Sequence, residues 1–159
     1  MTAQSGTYFW HGHVGTSYFD GLKGPIIIHN PVEPYPYDID YVVQLSDWYH
    51  DVASDLLAFW LDPVRNPTGG EPSYNSGLIN GKGAYDCQYT TLPCIEKDPE
   101  VFTVSKGGLA HLRFINAASL AVFIISIENH AMTVVEVDGV PVEPYTTDAF
   151  VINIGQRYT

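Results

Sequence analysis

An all-β fold is what this sequence predicts: a sandwich of short strands with one short helical insert. Three observations carry that expectation. Short apolar and aromatic runs recur at regular spacing, bounded by Gly, Pro, Asn or Asp. The 159 residues include 14 Gly, 11 Pro and 11 Tyr, which suits a protein built of strands and turns. Only one stretch has fair helical spacing. A chain of this length has room for one domain with a proper core, and two full domains would be cramped.

Taken in order, Thr7 to Trp10 is β-branched and aromatic and reads as a strand running into His11-Gly12-His13. Gly15, Gly21 and Gly24-Pro25 punctuate a loop, and Pro25 to His29 reads as a short buried strand. Asn30 to Tyr37 carries Pro31, Pro34 and Pro36, too many for a strand or helix interior, and reads as a linker. A strand follows over Tyr41 to Tyr49. Asp51 to Trp60 is the helical stretch, with Val52, Leu56 and Phe59 on one face and Ser54 as a cap. Asp62 to Ser76 is loop, and Leu78 to Gly83 is a short strand entering a glycine turn. Val101 to Val104 and Leu109 to Ile115 form two strands joined by a hairpin-like Ser105-Lys106-Gly107-Gly108. Ala121 to Ile127, Met132 to Val137 and Phe150 to Ile154 complete the set, with Asp138-Gly139 as another turn.

Composition excludes several classes. Apolar residues make up 45% and charged ones 16%, a globular rather than a disordered balance. The formal charge of -11 excludes nucleic acid as a partner, because nothing here could neutralise a row of phosphates. The same charge permits a cationic substrate or metal ions. No membrane span is expected, since the longest apolar run, Leu120 to Ile127, contains Ser126 and stops at Glu128-Asn129-His130. Met1-Thr2-Ala3-Gln4-Ser5 lacks a basic start and an apolar segment, so no leader is expected here. Cys87 and Cys94 flank a turn-like Gln-Tyr-Thr-Thr-Leu-Pro, compatible with a local disulfide in an oxidising compartment or with two reduced thiols.

The sharpest chemical feature is His11-Gly12-His13. Residues two apart on a strand point to the same side, so the two imidazoles can be presented together. Neutral imidazole is a ligand for copper, zinc, iron or nickel, and two imidazoles need further donors to make a tight site. A bare His-x-His is more often two partly exposed histidines.

The neighbourhood is more specific. Gly6-Thr7-Tyr8-Phe9-Trp10-His11-Gly12-His13, followed by Tyr18-Phe19-Asp20-Gly21-Leu22-Lys23-Gly24-Pro25, resembles the second copper motif of multicopper oxidases of the laccase and ferroxidase type. That pattern runs Gly-Thr-x-Trp-Tyr-His-Ser-His, then Gln and Asp-Gly-Leu/Met-x-Gly. Gly12 replaces the usual serine and Ser17 stands where glutamine is common; neither departure removes a ligand. Leu45-Ser46-Asp47-Trp48-Tyr49-His50-Asp51 is similar to the opening of the family's middle domain, and Asn66 to Pro72 to a loop of its ferroxidase branch. Leu78 to Gly83, Ile127 to Gly139 and Gly155-Gln156-Arg157-Tyr158 continue the resemblance in order.

The resemblance implies a cupredoxin-like Greek-key β-sandwich of antiparallel strands over the later residues. It divides the chain into the C-terminal strand and loop of a preceding cupredoxin domain (1–30), a linker (31–37) and a middle domain (38–159) whose last strands would follow Thr159. It implies copper as cofactor, with His11 and His13 each binding one copper of the binuclear type 3 pair that, with a type 2 copper, reduces O2 to water. In ferroxidases an acid in the position of Glu71 helps bind Fe(II); Glu71 reads equally as a solvated loop glutamate. His130 and Met132 read as a buried, hydrogen-bonded histidine and a core methionine, because the family's middle domain usually holds no copper. His29, His50 and His111 read as structural or surface residues, and Arg157 as structural.

The chain lacks His-Trp-His-Gly before residue 6, His-Pro-x-His-Leu-His-Gly and His-Cys-His. The expectation is therefore a fragment of an oxidase acting on phenols or metal ions, inactive by itself. Its partners would be the missing flanking cupredoxin domains of the same parent, itself secreted or extracytoplasmic. The alternative is a non-catalytic cupredoxin-like binding module. A single-domain electron-transfer cupredoxin is disfavoured by the missing cysteine ligand.

Overall fold

A computed structural model of the chain describes residues 4–91, 93–95 and 97–159. Two strands come first, β1 (Gly6–His11) and β2 (Lys23–Ile28), paired antiparallel from Gly6↔Ile28 to His11↔Lys23. A strand-free stretch containing the three prolines follows. The remaining elements are β3 (Ile39–Trp48), α1 (Ala53–Trp60), β4 (Ser76–Ile79), a 3-10 turn at Cys87–Tyr89, β5 (Ala110–Asn116), β6 (Phe123–Ser126), β7 (Met132–Val137), β8 (Val140–Thr147), β9 (Ala149–Ile152) and β10 (Arg157–Tyr158).

Six strands form one sheet in the order β4-β3-β5-β10-β7-β8, and β6 pairs with β9 in a second. The two sheets sandwich an apolar core. Val43 and Leu45 of β3, Phe114 of β5 and Ile152 of β9 are buried at its centre, with Phe123, Ile125 and Phe150 packed against them. Alternation along β5 sends Leu112, Phe114 and Asn116 to this core and Arg113 and Ile115 to the opposite face. There Arg113 meets Thr7 of β1, so β5 is covered on both sides. This is the expected all-β, Greek-key-like sandwich with one short helix.

Four local expectations need correction. The sheet is not wholly antiparallel: β3 and β5 run parallel from Ile39↔Ala110 to Leu45↔Asn116. For the same reason Val101 to Val104 is not a strand. Both edges of β5 are occupied, by β3 and β10, so the preceding segment has no edge to pair with. It lies extended instead, with Phe102 against the core and the Thr103 carbonyl accepting the Tyr41 hydroxyl at 2.8 Å. Ser54 does not cap the helix. Val52 occupies that position without a side-chain bond, Ser54 lies inside α1, and a distant residue, Asp20, takes the Ala53 N–H at 3.3 Å. The strand after Gly24 is less buried than its isoleucines suggest, for Ile26 is 42% exposed.

Two strands escaped the reading by residue pattern, although the family resemblance of Gly155 to Tyr158 covers the second. β8 contains Pro141 and Pro144, which a central strand would exclude; it is tolerated because it forms the sheet's edge beside β7. β10 has only two residues, too few for periodicity. The turn between β7 and β8 follows expectation: Asp138 and Gly139 both have positive φ, 52° and 78°, the two-residue geometry that matches strand twist. Gly139 is also held to its size, because a Cβ there would lie 2.3 Å from the Tyr8 hydroxyl. Of the two states open to the cysteines, the bonded one is present: Cys87 and Cys94 form a disulfide, with Cα atoms 5.6 Å apart. No helix among the described residues is long and apolar enough to cross a membrane.

Candidate metal centre

The end of β1 and the turn after it hold both histidines of the motif. The rings of His11, the last residue of β1, and His13, just past it, lie together, with centroids 4.4 Å apart and planes at 27°. His11 is also packed against Phe9 at 5.5 Å and Tyr18 at 4.7 Å. Its Nδ1 lies 3.1 Å from the Gly12 carbonyl oxygen. A carbonyl only accepts, so Nδ1 carries the proton and the lone pair of Nε2 is free to bind a metal. A ligating histidine characteristically donates its other ring N–H in this way. His13 is exposed.

The turn is tied to itself at several points. Gly12 N donates to Leu22 O at 2.8 Å and Leu22 N to Ser17 O at 2.9 Å. The Thr16 hydroxyl donates to Asp20 Oδ2 at 3.0 Å, while Asp20 Oδ1 takes the first N–H of α1. The two departures from the usual motif touch one another. A Cβ on Gly12 would lie 2.3 Å from Ser17 Oγ and 3.0 Å from a Leu22 methyl, and Ser17 Oγ is buried without a hydrogen-bond partner.

A second layer fixes the turn to the larger sheet. Tyr18 donates its hydroxyl to Ala118 O at 2.8 Å, and Lys23 Nζ donates to Ala117 O at 2.6 Å while lying 4.8 Å over the Tyr18 ring. The Asp47 carboxylate, buried at the end of β3, accepts the N–H groups of Ser119, Leu120 and Ala121 at 2.6–3.1 Å. Burial first, and the Asp47 charge second, push the Tyr18 hydroxyl up to about 12. Tyr49 rises to about 12 for the same two reasons, with Glu71 and Tyr74 adding to them. Burial pulls Lys23 below the ordinary lysine value, opposed by Asp47. Asp47, Tyr18 and Lys23 had no assigned role in the sequence reading. The signal available was an acid, Asp47, inside a strand-like run, and a lysine, Lys23, between two loop glycines; a charge that becomes buried demands a partner.

The other candidates lie elsewhere. Glu71 is exposed and outside the histidine cluster, in a loop shaped by Asn66, whose amide donates to Trp60 O and Gly70 O. His130 is hydrogen-bonded, through Nδ1 to Glu128 O at 2.8 Å, but exposed rather than buried, because it sits in the β6–β7 turn; Met132 is half-buried. His29 and His50 are surface residues. His111 stacks on Tyr37 at 4.8 Å, and burial, then Arg113, pull its pKa below 6.5 against Asp40 and Glu33. Arg157 is structural: Nε donates to Thr7 O, Nη1 to Gly155 O, and the guanidinium lies over Tyr8.

Two family models match the chain. Residues 39–159 match the family model described as multicopper oxidase, and residues 1–33 match a second model with the same description. The chain belongs to the multicopper oxidase family. Laccase-4 of Thanatephorus cucumeris is 40% identical over 164 residues, covering 100% of this chain and 30% of that protein. The crystal structure of laccase from Botrytis aclada superposes with a TM-score of 0.83 at 38% identity, covering 98% of this chain and 28% of that one. Fet3p, described as a multicopper oxidase that functions in iron import, gives 0.77 at 33% identity, with 98% and 26% covered. The chain thus spans under a third of the length of these relatives.

Copper is the metal this family implies, and the donor set fits part of a site. His11 and His13 offer two neighbouring imidazoles, with the His11 tautomer suited to ligation through Nε2. Among the described residues no group of three or more His, Cys, Asp or Glu could hold a metal ion. Both cysteines are in the disulfide, so neither offers a thiolate.

Proposed function

We propose that this chain supplies two ligands of a binuclear type 3 copper pair in a laccase-like or ferroxidase-like oxidase, His11 to one copper and His13 to the other. The single observation carrying this reading is the pair of adjacent imidazoles, with His11 Nδ1 turned to its own backbone. In such an oxidase the coppers would take electrons one at a time from a phenolic or metal-ion substrate and reduce O2 to water. The contribution of this chain is to hold the two imidazoles at a fixed spacing on a strand end braced by the sheet. Residues 1–30 then end a preceding cupredoxin domain, 31–37 link, and 38–159 belong to the middle domain. The remaining donors come from flanking domains of the parent, for which an oxidising, extracytoplasmic setting suits the disulfide. Glu71, exposed in its loop, is the carboxylate available to an Fe(II) substrate, away from the histidines.

Titration with Cu(II) tests the reading. The chain alone should bind Cu(II) weakly, lose most of that binding in the His11→Ala/His13→Ala variant, and lose affinity at acid pH as imidazole protonates. It should show no intense blue band and consume no O2 with phenols or Fe(II), since a copper–thiolate bond is needed for the colour. Oxygen uptake should appear only after reconstitution with separately expressed flanking domains and copper. Unchanged binding in the double variant would move the site elsewhere and favour the binding-module reading.

A further inference from the structure

Three rings pack on the imidazole of His11. Phe9 and His13 belong to its own strand end; Tyr18 alone is bonded to another part of the fold. Its hydroxyl ends on Ala118 O, in the loop joining β5 to β6. That loop is held from within the core. Ala117 and Ala118 are fully buried, and Asn116 accepts from Ala118 N while donating to Ala121 O and Ile152 O. Asp47 then takes three consecutive N–H groups of the loop on one carboxylate. A carboxylate so bonded makes charge-assisted contacts, stronger than neutral ones, and leaves the loop little freedom to move. Lys23, reaching Ala117 O across the face of Tyr18, fixes the tyrosine to the same loop from a second side.

We propose that Tyr18 is a positioning residue for His11, setting the imidazole against the Asp47-clamped loop 117–121 and so against the core of the following sheet. The inference rests on the reading of His11 as a copper ligand. An imidazole left free about its ring bond would sample orientations that point Nε2 away from the metal. With Nδ1 turned to Gly12 O and Tyr18 against the ring, one orientation is kept. A fixed donor binds with less entropy lost than a free one.

The test uses the full chain and Cu(II) alone as probe, with Tyr18→Phe, Tyr18→Ala and Asp47→Asn. In the metal-free chain, carbon relaxation of the His11 ring should report greater motion in Tyr18→Ala and Asp47→Asn, with His13 little changed. Tyr18→Phe, which keeps the ring and loses the anchor, should fall between. Cu(II) affinity should fall by roughly 10-fold in Tyr18→Ala, the low end of what loss of an outer-shell partner costs, and be partly recovered in Tyr18→Phe. A purely structural role would lower the melting temperature and leave His11 relaxation as in the parent. That result in folded Tyr18→Phe and Asp47→Asn would overturn the proposal, even if Tyr18→Ala failed to fold. Should His11→Ala leave Cu(II) binding unchanged, the ligand reading fails, and the metal-free relaxation still decides whether Tyr18 positions the ring.

Discussion

The large sheet is packed on both faces, and the two seams are made of different chemistry. Toward β6 and β9 the contacts are Val43, Leu45, Phe114 and Ile152, with Phe123, Ile125 and Phe150 around them. Toward the β1–β2 hairpin they are polar. Arg113, 2% exposed, donates to Asp40 through Nε at 2.9 and 3.0 Å and to Thr7 Oγ1 through Nη1 at 3.2 Å. Glu136 accepts Thr7 N at 3.0 Å, Thr7 and Thr159 hydroxyls meet at 3.1 Å, and Arg157 reaches Thr7 O. The apolar seam stabilises by area and tolerates small adjustments. The polar seam gains little net energy from each desolvated pair and loses much when one partner is removed, but it fixes a single register. The hairpin that carries the two imidazoles is joined by the second kind.

The largest effect expected is on that joint. Arg113→Ala should cost about 3 kcal/mol in denaturant unfolding, by taking the buried guanidinium away from half-buried Asp40 and from Thr7. Replacing both partners by apolar residues, Arg113→Met with Asp40→Leu, should recover most of this; failure to recover would mean that the seam stabilises as strongly as it specifies. A smaller loss is expected from the apolar side. Ile152→Val removes one methylene from a fully buried position and should cost ~1 kcal/mol, read from the same titration. A cost near that of Arg113→Ala would erase the contrast between the seams. Smallest of all, Ser17→Ala deletes a buried hydroxyl with no partner and should shift stability by less than about 0.5 kcal/mol, in either direction. A clear loss on thermal unfolding would reveal a bond of Ser17 that matters to the turn.

Much of this was legible along the chain. Short apolar and aromatic runs marked β3, β5, β6, β7 and β9, and the Asp138-Gly139 pair marked a turn by residue type. Proline punctuation separated the hairpin from the sheet, and His11-Gly12-His13 announced two imidazoles on one strand side. Val101 to Val104 had the right composition for a strand and no free edge to join, while β8 had the wrong composition and an edge that accepts proline. Ser54 was a good cap by type, yet Asp20 reached the helix start from another element. Each miss concerns who the neighbour is, which residue type does not encode.

The sequence by itself determined the fold class, the positions of most strands and the pair of histidines, because periodicity and local spacing act over a few residues. Only the tertiary structure decided how the histidines are held. Arg113 meets Asp40 across 73 positions, Asp47 meets Ser119 across 72 and Thr7 meets Thr159 across 152. Such pairs carry no local signature. They exist because charges and backbone groups taken out of water must find partners wherever the sheets bring them together.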